Sequence, residues 1–289
     1  MRSTAVYFTA PGRLELRAED VPEPGPGEVL VEALVSGISA GTEMLVYRGQ
    51  FPKELADAND RLSSELHYPV CYGYASVGRV AALGPGVEAG WQDEIVFCFE
   101  AHRSRYIAGV GSLLVVPKDI EPSTAVFLPN METAVNLVQD AQPLLGECAL
   151  VLGQGVVGLL TTSLLHEFPL QRLVTADRYG LRRKASTEIG VDAALDPSFD
   201  DFQVAAMSMV PPSIAGFDLS IELSGNPSAL DAAIAMTAYS GRVVIGSWYG
   251  EKRAPIDLGG KFHRSRISIS SSQVSTTWIV SSGDWSSRR

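Results

Sequence analysis

The six residues Gly153-Gln154-Gly155-Val156-Val157-Gly158 have the types and spacing to cradle a pyrophosphate. They directly follow the apolar run ALVL and open an apolar stretch that reads as a helix, the strand-to-helix context that G-x-G-x-x-G requires. The first glycine permits the tight turn, and the second lets a phosphate approach the backbone. The third lets the helix pack close to the sheet, while the first helical turn, with Val156 and Val157, offers free N–H groups to the anion. An acid is then needed at the end of the next strand, about 20 residues on, to take the ribose hydroxyls. Asp177 closes the run RLVTAD at that place. The plain alternative is a glycine turn followed by an Asp that caps a helix. A carboxylate accepts hydrogen bonds from a diol and repels a 2′-phosphate, which favours NAD. Arg178, Arg182 and Arg183 lie just beyond and could embrace that phosphate instead, so NADP stays open.

Two further segments sit where such a ligand would lie. In an open α/β sheet the ligand rests at the carboxyl ends of the strands. Leu223-Ser224-Gly225 follows one predicted strand and should border the ribose; Gly246-Ser247-Trp248-Tyr249 follows the next and should approach the nicotinamide. Trp248 and Tyr249 serve equally well as ordinary packing aromatics.

The elements that must position these residues alternate. From about Leu144 the chain reads strand ALVLG, a helix through about Glu167, strand RLVTAD, then a helix ending at Gly190 as a C-cap. Strand FDLSIELSG follows, then a helix over SGNPSALDAAIAMTAYSG with Asn226 as N-cap and Pro227 at its first position, then strands GRVVIGS and RISIS. Units of this size imply parallel pairing with right-handed crossovers. Before about Pro117 the texture is one of short strands and turns: Thr4–Phe8, Leu14–Ala18, VLVEALVSGIS, Ser76–Leu83, Glu94–Phe99 and Leu113–Pro117. That pattern indicates a small β-barrel or sandwich. Phe51–His67 is polar and reads as a surface excursion with a helical turn. The expectation is an α/β protein with a β-rich domain over 1–125 and a doubly wound dinucleotide-binding domain over 126–289.

Composition narrows the function. The chain has 289 residues, 46% hydrophobic and 19% charged, ample for two cores. Its formal net charge of −10 argues against nucleic acid or anionic lipid held by general electrostatics. Cys71, Cys98 and Cys148 are too scattered for a disulfide framework and suit a reducing compartment. The start lacks the apolar core of a signal peptide. The uncharged run Cys148–Leu165 reaches the length of a membrane span, but its glycines and Ser/Thr cluster read better as a buried strand, turn and helix. The expectation is a cytoplasmic protein with a small-molecule substrate and neither nucleic acid nor membrane as partner.

With VLGQGVVGLL, TAD and FDLSIELSGNPSALDAAIAMTAYSGRVVIGSWYG on the page, the chain resembles the medium-chain dehydrogenase/reductase superfamily from about residue 4 to 275. VPEPGPGEVLVEALVSGISAGTE and VGRVAALGPGVEAGWQDEIVF resemble its N-terminal, chaperonin-10-like domain, which implies a β-barrel there and a Rossmann domain after it. GTE, AHRSRYI, LPNMETAVN and SSQVST look like zinc-type alcohol dehydrogenase-like proteins that include the bacteriochlorophyllide dehydrogenases. The resemblance implies an NAD(P)-linked oxidoreductase, and pairing into a homodimer through the nucleotide-domain sheet edge near Trp248–Ile256 and the final strand.

The departures are specific. Zinc-dependent members carry Cys after Gly-Ile, a Gly-His-Glu, and a Cys or Glu at the start of the joining helix. Here Gly37-Ile38 precedes Ser39-Ala40, Gly73 precedes Tyr74-Ala75, and the third position falls near Pro129-Asn130. None supplies a zinc ligand, and Cys71, His67 and His102 read as a core thiol, a surface His and a polar loop His, so no zinc is predicted. The family's chain continues for some 40 further residues of strand and helix, whereas this sequence stops about 20 residues after RISIS. Without a metal, a carbonyl must be polarised by hydrogen-bond donors and protonated by an acid. Thr42 matches the family's proton-relaying Ser/Thr, and Tyr74 occupies the lost His position with a phenol. Glu43, His102 and Glu132 are further polar candidates, each with an ordinary structural role as its alternative. Thr133 and Asn136 lie on the helix LPNMETAVNLV, which by resemblance crosses beneath the nicotinamide. Three readings follow: a zinc-independent alcohol/ketone oxidoreductase acting on a small or hydrophobic substrate, a quinone or enone reductase, and a nucleotide-binding paralogue without turnover.

Overall fold

The structure is a computed structural model, described here for residues 1–51 and 67–274. The excursion expected over Phe51–His67 lies, apart from its two ends, outside the described residues. The chain divides into two compact units, Met1–Pro129 and a second beginning at Asn130.

The first unit is built from antiparallel strands. Strands β1 (Arg2–Ala10), β2 (Arg13–Asp20) and β4 (Val70–Cys71) form one sheet in the order β2-β1-β4. Strands β3 (Glu28–Ser36), β5 (Ser76–Leu83), β6 (Ile95–Cys98), β7 (Arg105–Gly109) and β8 (Leu114–Val115) form the other, ordered β7-β3-β5-β6-β8. Alternation buries Val29, Val31, Val80, Val96 and Tyr106 in one cluster and Val77, Phe97 and Val126 in a second. Elements of this unit that were not anticipated include the short helix α1 (Thr42–Arg48) and strands β4 and β7. Helix α1 is seven residues long, so its apolar run Met44–Tyr47 is too short to show a helical period, and it ends on Gly49 in the left-handed conformation (φ 67°). A four-residue helix α2 (Pro122–Ala125) precedes α3 (Leu128–Ala141), which carries the chain across the division.

The second unit is a six-stranded parallel sheet. Its elements run β9 (Cys148–Leu152), α4 (Val156–His166), β10 (Arg172–Ala176), α5 (Gly180–Ile189), β11 (Ala193–Leu195), α6 (Phe202–Ser208), β12 (Phe217–Glu222), α7 (Pro227–Met236), β13 (Thr237–Ile245) and β14 (Ser268–Ser271). The spatial order is β11-β10-β9-β12-β13-β14, so the chain works outward from β9 in one direction and then returns to build outward in the other. Every residue of β9 is buried, as a central strand covered on both faces requires. Each Leu or Val so buried contributes roughly 1.5–3 kcal/mol. The uncharged Cys148–Leu165 run is thus β9, the glycine loop and most of α4. Among the described residues, no helix is long and apolar enough to cross a membrane.

Helix α7 begins as expected, the Asn226 side chain accepting from Ser228 N at 3.2 Å with Pro227 next. It ends earlier than its alanine-rich sequence implied: Thr237 is already extended, and its hydroxyl donates to Ala233 O at 2.7 Å while meeting Ser220 Oγ at 2.8 Å. The Thr-Ala-Tyr-Ser tail therefore opens β13, where β-branched and aromatic residues pair with β12.

Arg242 of β13 fastens the far end of this sheet. Its guanidinium donates to both Glu147 carboxylate oxygens, at 2.8 and 2.7 Å, and to the carbonyls of Ala141 and Gln142 at the end of α3. Replacing Arg242 by Met leaves Glu147, only 11% exposed, without its cation. The expected loss is about 2–3 kcal/mol in urea unfolding; a loss below about 0.5 kcal/mol contradicts this role.

Burial also raises all three thiols: Cys98 to about 11, and Cys71 and Cys148 above their usual value. A raised folded-state value means the native chain holds these protons more tightly than the unfolded chain. The associated stability is complete below the unfolded value of 9.0 and is lost as pH rises toward 11. Accordingly, iodoacetamide at pH 8 should leave Cys98 of the native chain unlabelled and label it in urea; fast native labelling contradicts it.

Candidate functional site

Two clusters emerge, one in each unit. In the second unit, the chain leaves β9 through Gly153 at φ 97°, a left-handed conformation. A Cβ there would meet Ser224 N at 2.5 Å, and a Cβ on Gly158 would collide with the Gly153 carbonyl oxygen. Gly155 is different: a Cβ added to it meets nothing within 4 Å, so open space lies over the start of α4 where Val156 and Val157 begin the helix. Gly153 thus makes the tight turn and Gly158 the close helix-to-strand contact that their spacing implied. An open cradle at a helix N-terminus fits a pyrophosphate.

Gln154 departs from its expected role as a ligand residue. Its side chain is fully buried, accepting from Thr162 Oγ1 at 3.1 Å and donating to Gly153 O at 3.2 Å. Its backbone N–H is given to Asp177 Oδ2 at 2.8 Å. Gln154 therefore sets the shape of the loop. Asp177 is 6% exposed, and its other oxygen accepts from Tyr179 N at 2.8 Å. Arg182 approaches Oδ2 at 3.3 Å. Arg178 and Arg182 both lie on the ring of Tyr179, 4.7 and 4.8 Å from its centroid. Arg183 is committed elsewhere, to Asp196 at 2.7 Å and to the carbonyl of Asp177 at 2.8 Å.

The ends of β12 and β13 are knit by Glu222, a fully buried acid that sequence reasoning passed over. It accepts from the backbone and hydroxyl of Ser224 and from Tyr249 Oη at 2.5 Å. Burial, and the hydrogen bond to Glu222, push the Tyr249 phenol well above its usual range. Tyr249 is thereby a structural donor. Ser247 Oγ accepts from Gly225 N at 2.9 Å, so the two expected loops are tied to each other. Gly246 is a packing glycine: a Cβ would run into Leu137 and Leu223. Trp248 is 42% exposed beside it. On α3, Thr133 is half-buried, whereas Asn136 is buried and donates to Asp140 and Ser272 at 3.0 Å each. A lone acid closing an apolar strand, as in SIELSG, was the available signal for Glu222.

In the first unit, His102 and Glu43 come together although 59 residues apart. His102 Nε2 lies 2.9 Å from Glu43 Oε2, and Nδ1 lies 2.9 Å from Ser36 Oγ. The other oxygen of Glu43 accepts from Ser39 N at 2.8 Å. Glu43 and His102 are buried, at 4% and 8% exposure, while Ser36 at the end of β3 is half-buried. Thr42 and Tyr74 are half-buried, Thr42 opening α1 and Tyr74 following Gly73. Glu132 is exposed on α3, away from this cluster in sequence, and desolvation raises its carboxyl. Ser36 had no motif to mark it, since a serine ending a strand is commonplace.

The chain is similar to known proteins over most of its length. Residues 156–287 match the model of the zinc-binding dehydrogenase family. An L-threonine 3-dehydrogenase of Pyrococcus horikoshii is 28% identical over 282 residues, spanning 87% of this chain and 77% of the relative. A 2-desacetyl-2-hydroxyethyl bacteriochlorophyllide A dehydrogenase of Cereibacter sphaeroides is 26% identical, spanning 98% of this chain and 87% of the relative. Among solved structures, a short chain alcohol dehydrogenase of Escherichia coli CFT073 complexed with NADH superposes with a TM-score of 0.75 at 20% identity, over 94% of this chain and 84% of the other. The antiparallel sheets followed by a parallel six-stranded sheet are the fold of that structure.

The family's description raises the question of zinc. Ser39, Ala40, Tyr74 and Ala75 bring no thiolate, imidazole or carboxylate to the expected positions. Among the described residues, no group of three or more His, Cys, Asp or Glu could hold a metal ion. Glu43 and His102, the acid and imidazole that do meet, spend their facing atoms on each other and on Ser36 and Ser39. The described residues at these positions do not fit a catalytic zinc.

The glycine geometry separates binding from folding. Gly155→Val should leave urea stability within about 1 kcal/mol, since its side chain enters open space, yet weaken NADH binding about tenfold or more by filling the cradle. Gly158→Ala should cost about 1–3 kcal/mol of stability outright. Unaltered NADH affinity in Gly155→Val contradicts the cradle.

Proposed function

We propose that this chain, whose residues 156–287 match the zinc-binding dehydrogenase family, is a zinc-independent NAD-linked oxidoreductase that interconverts an alcohol and its ketone. The observation that carries the reading is the glycine loop leaving β9 with Asp177 at the end of the adjacent β10. Relatives named as dehydrogenases of hydroxyl-bearing substrates support it, as does the NADH complex of the structural neighbour. The substrate is a small or hydrophobic alcohol.

The cofactor residues divide by task. Gly153, Gly155 and Gly158 shape the cradle, and the start of α4 at Val156 and Val157 faces the pyrophosphate with the positive end of its dipole. Asp177, held by the amides of Gln154 and Tyr179, keeps a carboxylate where the ribose diol is bound. That fixed negative charge disfavours a 2′-phosphate, and the commitment of Arg183 to Asp196 leaves one fewer cation to receive it. Ser224, Gly225, Ser247, Trp248 and Thr133 complete the dinucleotide's surroundings. When bound, the nicotinamide accepts or donates the hydride. Proton work then falls to Thr42, Tyr74, Glu43 and His102, none of which needs a metal to donate or accept.

The test is a fluorescence titration of the 1–289 chain with NADH and NADPH, alongside Asp177→Ala. NADH should bind at least tenfold tighter than NADPH, and the substitution should remove most of that preference. Tighter binding of NADPH overturns the choice of NAD, and no binding of either overturns the dehydrogenase reading.

A further inference from the structure

We propose that strand β2 (Arg13–Asp20) is an interaction surface for a second copy of this chain, the two β2 strands pairing antiparallel about a two-fold axis through Leu16.

Strand β2 forms an open sheet edge. It pairs with β1 on one side, and among the described residues no strand pairs with it on the other. At eight residues it is the longest edge strand described, against five for β7 and four for β14. Most of it is exposed, Leu14 at 52% and Leu16 at 73%. Such an edge offers a row of N–H and C=O groups to an incoming strand.

Alternation sorts the side chains of β2 onto two faces. Arg17 donates to Glu15 at 3.0 Å and lies over the ring of Tyr7, whose hydroxyl donates to Glu19. Glu15, Arg17 and Glu19 therefore share one face, and Leu14, Leu16 and Ala18 fall on the other.

Charge complementarity selects the occupant. The stretch Arg13-Leu14-Glu15-Leu16-Arg17-Ala18-Glu19 answers its own reverse with the opposite sign. With Leu16 on the axis, Glu15 stands opposite Arg17 of the second copy, Arg17 opposite its Glu15, and Arg13 opposite its Glu19. On the other face Leu16 meets Leu16 and Leu14 meets Ala18. A slip by two residues either way destroys this match. One direction sets Arg17 against Arg17 and Glu15 against Glu19; the other sets Glu15 against Glu15 and Arg13 against Arg17. Like charges directly opposite one another are destabilising, so one register is specified. The contact is isologous and closes as a dimer, which leaves neither copy with a free β2 edge. It uses a different strand from the nucleotide-domain edge to which the family resemblance points.

Two measurements on the full chain test this. Sedimentation over a concentration series should show self-association that Arg17→Glu weakens about tenfold or more. Adding Glu15→Arg to Arg17→Glu restores opposite charges across the axis and should return the dissociation constant to the native range. A native chain that stays monomeric, an unchanged dissociation constant in Arg17→Glu, or no recovery in the double variant overturns the proposal. Cysteine cross-linking reads the register without altering any charge. Directly opposite Cβ atoms lie about 4.5–5.5 Å apart, close to the reach of a disulfide, whereas the two copies of Leu14 lie about 13 Å apart along the strand. Under mild oxidation Leu16→Cys should link two chains well above the background set by the native Cys71, Cys98 and Cys148, and Leu14→Cys should not. Equal cross-linking of the two variants, or cross-linking of neither, overturns the pairing.

Discussion

The second unit depends on one close approach, that of Gly158 to the carbonyl of Gly153. With no side chain between them, α4 starts directly against the end of β9, and the loop has only one way to turn. Gly153 takes that turn in the left-handed region, and Asp177 locks it by accepting the Gln154 amide. The acid proposed to take the ribose diol is thus also the acid that closes the glycine loop. One carboxylate ties the loop after β9 to the end of β10, which is why the two strands must be neighbours in parallel register.

The first unit solves a different problem. Among the described residues, no group of three or more His, Cys, Asp or Glu gathers there to hold a metal ion. There the buried imidazole of His102 is bracketed by the carboxylate of Glu43 and the hydroxyl of Ser36. The low local dielectric strengthens the Glu43–His102 contact and excludes competing water.

Much of this was legible in the sequence where a residue type has one physical use. Glycines at G-x-G-x-x-G, an acid closing a strand, and Asn226-Pro227 opening a helix each left few alternatives. Long-range partnerships were not legible in that way. His102 and Glu43 were marked as polar candidates, but nothing in one chain shows that they meet, nor that Ser36 completes the set. Gln154 was misread because a position inside a motif does not say which way its side chain turns. Glu222 was missed because its hydroxyl partners arrive from two strand ends. The early end of α7 reflects β-sheet pairing of Thr237 overriding the helical preference of the alanines before it.

The proposed hydride transfer between alcohol and nicotinamide needs no metal ion. It is tested most directly by following alcohol oxidation by the chain after exhaustive chelation, with metal content measured in the same sample. The account predicts that turnover with NAD persists at its original rate and is not raised by added Zn²⁺. Activity lost on chelation and restored by stoichiometric Zn²⁺ would contradict it.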